Sequence, residues 1–211
     1  MNPLVLLFFI HTTLATALVG GIFLRRKQAV ARYFGAGLLL QTVGFASWTM
    51  ALLVPEHLSN LVTIGAVLTL ISFVLFLRAA SEDVPTVLRM SMVVLGGIFV
   101  FATFYVGRYV FPTPKFISEE GFLIFNLAPF VQLLYITALV LVAVPLIEKL
   151  AALFRPRYAL FIRYALGLQV VGAIVLITSV DILSLLVAGW AIGVSYFVLW
   201  FTLLFRKEVW N

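Results

Sequence analysis

The sequence predicts an all-α integral membrane protein, built as a bundle of seven transmembrane helices. Three observations support this class. First, 64% of the 211 residues are apolar and 10% are charged, with a mean hydropathy of +1.19, whereas a soluble domain is about half apolar and a quarter charged. Second, the apolar residues form seven runs, each close to the roughly 20 residues that a helix needs to cross a bilayer. Third, Lys and Arg concentrate at alternate ends of those runs. We therefore expect residues 1–211 to form a single transmembrane domain.

The first three predicted helices lie near residues 3–24, 32–54 and 60–80. The first has no basic residue before it and is followed by the basic segment 25–27. This is the reverse of the charge pattern of a secretory signal peptide, so we expect the segment to be retained as a helix. The connection at 55–59 begins with Pro55 and separates the second helix from the third.

The last four predicted helices lie near residues 87–111, 122–147, 160–180 and 182–205. Pro112 and Pro114 end the fourth helix, because proline lacks the backbone N–H that a continuing helix requires. Two glutamates precede the fifth helix, where the helix dipole favours negative charge. The basic stretch 148–163 leads into the sixth helix, and Asp181 forms a tight link to the seventh.

The positively charged residues predict the orientation of the bundle. Twelve of the 14 Lys and Arg residues fall on one side, whereas Arg108 and Lys115 fall on the other. The twelve are Arg25, Arg26, Lys27, Arg32, Arg78, Arg89, Lys149, Arg155, Arg157, Arg163, Arg206 and Lys207. By the positive-inside rule, the N-terminus is expected outside and the C-terminus in the cytoplasm. We therefore expect a protein of a bacterial or archaeal cytoplasmic membrane, whose basic loops face anionic lipid headgroups or a cytoplasmic signalling protein.

A weak internal duplication relates two parts of the chain. At a fixed offset of 128 residues, 11 of the 47 positions in 32–78 are identical to those in 160–206. The most informative matches are Gln41 with Gln169, Gly44 with Gly172, Gly65 with Gly193 and Arg78 with Arg206. Helices two and three are thereby paired with helices six and seven. This pairing predicts a 3+1+3 parallel repeat, in which helix four links two three-helix units.

This arrangement resembles that of the SWEET sugar transporters and related PQ-loop proteins, which also place the N-terminus outside. Their proline-glutamine signature is absent here. The first helix has only Pro3 at its start, and in the fifth helix two residues separate Pro129 from Gln132. The architectural resemblance implies a uniporter for a small solute as one alternative function.

Polar and aromatic residues within the apolar runs are candidate site residues. Gln41 and Gln169 are expected to form a polar core, about 14 Å and 9 Å from the inner end at about 1.5 Å per residue. They either join helices through hydrogen bonds or bind a solute. The candidate ligand-binding residues lie in the predicted outer half and are His11, Trp48, Gln132, Tyr135 and Trp190. The alternatives are an interfacial aromatic belt for the tryptophans and an interior hydrogen bond for the histidine.

Small residues indicate where helices pack closely. Thr12, Thr16 and Gly20 follow one another at four-residue steps on helix one, and Gly189 and Gly193 form a GxxxG pattern on helix seven. Such spacing places small side chains on one helix face and lets two backbones approach each other. We therefore expect these faces to be buried against neighbouring helices.

The composition excludes several classes of function. The chain has no cysteine, which removes thiol catalysis and cysteine-ligated metals, and its two histidines are too few for a histidine-rich metal site. No Asp, Glu, Lys or Arg falls in the middle third of a predicted helix, which disfavours proton pumps and ion-coupled carriers. Since no carboxylate pair or Ser-His-Asp set converges at one depth, we expect no enzymatic activity. We also predict no cofactor, no metal and no nucleic-acid partner.

Three functional hypotheses follow. Residues 55–60, Pro-Glu-His-Leu-Ser-Asn, resemble the segment that leads into the third helix of the seven-helix input regions found ahead of bacterial kinases and cyclases. This resemblance implies a receptor or sensor-type module, with a small-molecule pocket in the outer half and basic cytoplasmic loops for a signalling partner. The alternatives are a SWEET-like small-solute uniporter and a non-catalytic subunit of a larger membrane complex.

Overall fold

The computed structural model describes residues 3–106, 115–117, 123–125, 128–179, 182–205 and 210. Within these residues, seven helices are long and apolar enough to cross a membrane, which confirms the predicted all-α seven-helix bundle. They are α1 (Pro3–Leu24), α2 (Ala29–Leu53), α3 (Leu58–Ala80), α4 (Thr86–Tyr105), α5 (Pro129–Ala151), α6 (Pro156–Thr178) and α7 (Ile182–Phe205). A short antiparallel pair of strands, β1 (Lys115–Ile117) and β2 (Leu123–Phe125), precedes α5.

Helices α5 and α6 begin at a proline, as α1 does at Pro3, and their starts differ from the sequence prediction. Helix α5 begins at Pro129 rather than near residue 122, where the chain instead forms β2. Helix α6 begins at Pro156 rather than near residue 160. Proline suits the first turn of a helix, because its missing N–H has no partner there in any case.

Several residues used in the predictions lie outside the described part of the chain: Arg108, Pro112, Pro114, Asp181, Arg206 and Lys207.

Six of the helices form a ring, and α4 lies outside it. Around the ring the order is α1, α2, α3, α5, α6 and α7, and each helix packs against the next, with α7 returning to α1. Helix α4 packs mainly on the outside of α3 and α5, and its described buried side chains are Val100 and Thr103.

The neighbour pattern of this ring has an internal two-fold symmetry. The first unit consists of α1, α2 and α3, and the second of α5, α6 and α7. Within each unit, the first helix packs on the second and the second on the third. The third helix of each unit also packs on the first helix of the other, α3 on α5 and α7 on α1. This is the arrangement expected of two parallel three-helix units joined by a linker helix. The ring therefore agrees with the 3+1+3 repeat that the duplication predicts.

The packing around Gly44 and Gly172 supports the symmetry at atomic detail. A methyl group added to Gly44 would meet three atoms of α3, and one added to Gly172 would meet three atoms of α7. On α3 these are Gly65 O at 3.1 Å, Thr69 Oγ1 at 3.2 Å and Leu68 Cβ at 3.8 Å; on α7 they are Ala188 O at 3.1 Å, Ile192 Cγ1 at 2.7 Å and Ala191 Cβ at 3.2 Å. Each glycine thus occupies the same kind of tight helix crossing in its own unit.

The register of α7 differs from the one that the fixed sequence offset predicts. The steps from Gly65 to Ala188, from Leu68 to Ala191 and from Thr69 to Ile192 are all 123 residues, whereas the offset between Gly44 and Gly172 is 128. Gly193, the sequence match of Gly65, instead faces α1. Most of this shift comes from the helix ends. Helix α6 ends three residues earlier than the offset would place it, and α7 starts four residues after α6 ends, whereas α3 starts five after α2 ends.

The small residues predicted to mark packing faces do lie at close helix contacts. The hydroxyls of Thr16 and Thr42 are 3.0 Å apart, and a methyl group at Gly20 would lie 3.0 Å from the carbonyl oxygen of Gly35. On α7, a methyl group at Gly189 would lie 3.3 Å from the ring of Phe8. Helix α1 is therefore held tightly between α2 and α7.

At one end of the bundle, an aromatic cluster ties the chain after α7 to the helix ring. The ring centroid of Trp210 lies 4.4 Å from that of Phe154 and 5.4 Å from that of Phe23. The guanidinium carbon of Arg26 lies 3.8 Å from the centre of the Trp210 ring, close enough for a cation–π interaction. This end carries Arg25, Arg26, Lys27, Arg32, Arg78, Arg89, Lys149, Arg155, Arg157 and Arg163 and is called the basic end; its cytoplasmic location remains a prediction.

We expect Trp210→Ala to lower the stability of the bundle, because it removes the ring that joins α1 to the α5–α6 connection. Trp210 is half-buried, so the loss in free energy of unfolding should be about 2 kcal/mol, below the ~3–5 kcal/mol typical of fully buried Trp→Ala changes. Trp190→Ala is the matched control, since the Trp190 side chain is 68% exposed. Thermal unfolding in detergent measures both; equal melting temperatures for the two variants would contradict the prediction.

Candidate functional site

A cavity of about 320 Å³ lies inside the bundle. It is bounded by α2, α3, α5, α6 and α7 of the ring and by the outer helix α4. Its volume is at the lower end of the roughly 300–1,000 Å³ that small-molecule sites occupy. Among the described residues that line it, none is charged, and the polar side chains are Gln41, Trp48, Thr69, Tyr135, Gln169 and Tyr196. The cavity therefore suits an uncharged and largely apolar molecule.

Equivalent residues of the two three-helix units face each other across this cavity. Helix α2 contributes Gln41, Phe45 and Trp48, and α6 contributes Gln169, Ala173 and Leu176, each 128 positions later. Helix α3 contributes Thr69 and Phe73, and α7 contributes Ile192 and Tyr196, each 123 positions later. The cavity thus lies between the two units, where each unit presents the same helix faces.

The two glutamines of the predicted polar core differ in their hydrogen bonding. Gln169 Nε2 donates to Tyr196 Oη at 2.6 Å, and Tyr196 is fully buried. The residue at the position of Tyr196 in the other unit is Phe73, which has no hydroxyl. The amide of Gln41 makes no hydrogen bond to any residue that the structure describes. One glutamine therefore joins two helices, and the other offers its amide to the cavity.

Most of the remaining polar groups are used within the protein. Trp48 Nε1 donates to Val62 O at 3.3 Å, and Thr69 Oγ1 donates to Gly65 O at 2.9 Å. The Trp48 ring is also packed edge-on against Phe45, with 5.4 Å between ring centroids. Both side chains therefore present mainly apolar surface to the cavity. The Tyr135 hydroxyl has no hydrogen-bond partner among the described residues, so it can bind a ligand.

The structure brings together four of the seven predicted site residues. Gln41, Trp48, Tyr135 and Gln169 line one cavity, although ligand binding by them remains a prediction.

The other three predicted residues lie outside the cavity lining: His11, Gln132 and Trp190. His11 is on an exposed face of α1, where its Nδ1 lies 3.9 Å from the Cβ position of Gly193. Trp190 is 68% exposed, because it is two residues from Ile192 and so points to the opposite side of α7. Counting residues from a helix end estimates depth but not the direction of a side chain, which explains these differences.

Sequence reasoning did not identify Tyr196 or Phe73 as site residues. A signal for Tyr196 was present: it is ten residues before Arg206, and Gln169 is six residues after Arg163. At about 1.5 Å per residue, the two polar groups differ in depth by about 6 Å on consecutive helices, within reach of their long side chains. Phe73 carried no such signal among the 20 phenylalanines.

Within the described part of the chain, no three His, Cys, Asp or Glu side chains gather as a metal site.

The basic end is the second feature that the sequence linked to function. Several of its cations form ion pairs: Lys149 with Asp83 at 2.8 Å, Arg163 with Glu148 at 2.8 Å, and Arg78 and Arg89 with Glu82. Arg25, Lys27 and Arg32 are exposed. This end thus combines connections between helices with an exposed positive surface.

No protein-family model, no curated protein and no solved structure matches this chain.

Proposed function

We propose that this protein is a receptor-type membrane module that binds a small, uncharged and mainly apolar molecule inside the bundle. The observation that supports this most is the cavity of about 320 Å³ between the two three-helix units, with its apolar lining and the amide of Gln41. An apolar lining favours apolar ligands through burial. A charged ligand would lose its hydration without gaining an opposite charge.

The position of the cavity suggests how ligand binding changes the protein surface at the basic end. Its lining comes from both units, so an occupant changes contacts that hold the units together. At the basic end the units are connected by the Trp210 cluster and by the pair of Lys149 and Asp83. A ligand that prefers one arrangement of the units shifts the population toward it. The exposed Arg25, Lys27 and Arg32 then present a changed surface to an acidic signalling partner. We propose a non-enzymatic role for the chain.

A carrier is the second candidate, favoured by the parallel repeat. In many transporters, the substrate site lies at the interface between internal repeats, as this cavity does. The lining argues against sugars, because it offers few hydrogen-bonding groups for a molecule with many hydroxyls. A small apolar molecule enters and crosses a bilayer readily, since its transfer from water is favourable. It therefore has less need of a carrier than of a receptor.

The thermal stability of the purified protein in nanodiscs separates these functions. We expect indole or 1-octanol, which are uncharged and mainly apolar, to raise the melting temperature in a saturable manner, because a ligand that binds only the folded state stabilises it by about 2.7 kcal/mol at 100 times its Kd. Glucose should cause no shift. Saturable glucose uptake by liposomes containing the protein, with no response to indole or 1-octanol, would contradict the receptor and support the carrier.

A further inference from the structure

We infer that the cavity is polarised despite its internal symmetry: it holds an amphipathic, uncharged molecule such as an alcohol in one orientation, with the ligand's hydrogen-bonding group on Gln41. The inference rests on the proposed function, since it names the ligand class and the anchor of the same cavity. It follows from the difference between two pairs of equivalent residues, Gln169 with Tyr196 and Gln41 with Phe73.

The symmetry of the ring defines these pairs. Gln41 and Gln169 occupy equivalent positions on α2 and α6, at the offset of 128 that Gly44 and Gly172 also show. Phe73 and Tyr196 occupy equivalent positions on α3 and α7, at the offset of 123 shown by the contacts of those glycines. All four residues line the cavity. A hydroxyl group, present on Tyr196 and absent from Phe73, therefore distinguishes the surroundings of the two glutamines.

That hydroxyl decides which amide can bind a ligand. The Gln169 amide is engaged with Tyr196 at 2.6 Å. The Gln41 amide has two N–H donors and a carbonyl acceptor, and none of them is bonded to a described residue. An amide that faces an apolar cavity without a partner is unfavourable, so a ligand that supplies a hydroxyl, amine or carbonyl group gains affinity at this point.

The residues that line the cavity together with Gln41 determine the chemistry of the rest of the ligand. Phe45 and Phe73 present apolar rings on the same side of the cavity, and Tyr135 supplies a hydroxyl with no partner among the described residues. No described charged side chain is available to neutralise an ionic group. The ligand class is therefore a neutral molecule with an apolar body and one polar end.

Photolabelling of the purified full chain in nanodiscs tests this orientation. The probes are an octanol that carries a diazirine and the matching diazirine-bearing octane without the hydroxyl, and mass spectrometry locates and quantifies the label on cavity residues. In the natural protein, we expect saturable labelling by both probes. The apparent affinity should be about five- to tenfold higher for the octanol, because one additional hydrogen bond increases affinity by about this factor.

Three variants identify the anchor. Gln41→Leu should lower the affinity for the octanol about five- to tenfold and leave that for the octane unchanged. Phe73→Tyr should have the same effect while keeping the glutamine, because the new hydroxyl engages the amide as Tyr196 engages Gln169. Tyr196→Phe should release Gln169, so that octanol label appears around Ala173 as well.

The outcomes separate the inference from the proposed function. Saturable labelling in which Gln41→Leu and Phe73→Tyr retain the natural preference for octanol would overturn the inference and leave the binding function standing. Absence of saturable cavity labelling by either probe would overturn both. Loss of the preference in Gln41→Leu and Phe73→Tyr, with unchanged octane labelling, supports the inference, because a general disruption of the bundle would weaken both probes alike.

Discussion

Gly35→Ala is expected to destabilise the bundle by about 3 kcal/mol, at the upper end of the range for overpacking in a well-packed core. A methyl group at this position would lie 2.5 Å from the backbone nitrogen of Leu24 and 2.7 Å from the carbonyl oxygen of Gly20. Both are backbone atoms of α1, so no side-chain rotation relieves the contact. Helices α1 and α2 would have to move apart along their whole interface, which includes the contact between Thr16 and Thr42.

Gly21→Ala is the matched control, because a methyl group at Gly21 has no atom within 4 Å. Alanine is the better helix former by up to about 1 kcal/mol, so this variant should be as stable as the natural protein or slightly more stable. Unfolding of the two variants in detergent, followed by loss of helical circular dichroism, gives the comparison. A Gly35→Ala protein that unfolds at the same temperature as Gly21→Ala would refute the close crossing of α1 and α2.

Ala173→Phe is expected to abolish ligand binding while preserving the fold. Ala173 lines the cavity at the position equivalent to Phe45, so a phenylalanine there fills space that the ligand would occupy. We expect the affinity for indole or 1-octanol to fall about 100-fold, since an occupant would then overpack the cavity by about 3 kcal/mol. The stability without ligand should be maintained, because the added ring buries apolar surface in an existing space.

Val171→Phe provides the control for this substitution. Val171 is on the same helix but 54% exposed, so the same aromatic ring is added on the outer face. The ligand-induced shift in melting temperature should persist in Val171→Phe and disappear in Ala173→Phe. Equal shifts in the two variants would mean that indole and 1-octanol act on the bilayer or on another surface of the protein.

The candidate site was predictable from the sequence only where a polar residue in an apolar run implied a buried partner or a cavity. The match between Gln41 and Gln169 led to the cavity because amides at such depth require partners. Trp190 and His11 had the appropriate chemistry and depth, yet Trp190 is 68% exposed and neither lines the cavity. In a soluble helix the apolar stripe identifies the inward face, but in a membrane helix both faces are apolar, so this signal is lost.

The internal repeat was also only partly predictable from the sequence. The identity of Gly44 and Gly172 correctly indicated equivalent helix crossings. The identity of Gly65 and Gly193 did not, because α6 ends earlier than the offset predicts and α7 packs in a different register. A fixed offset in the sequence cannot include such a shift. The true counterpart of Gly65 is Ala188, a residue that also brings little side-chain volume to the crossing.

The sequence by itself determined the seven spans and the absence of charge from the middle of each predicted helix. These follow from the cost of exposing polar groups to lipid, which acts on each segment separately. The tertiary structure alone decided which side of each helix faces inward, that Tyr196 engages Gln169, and that Gln41 is left facing the cavity. Those features depend on the shapes of neighbouring helices, since lipid and protein interior are equally apolar and hydrophobicity does not distinguish between them.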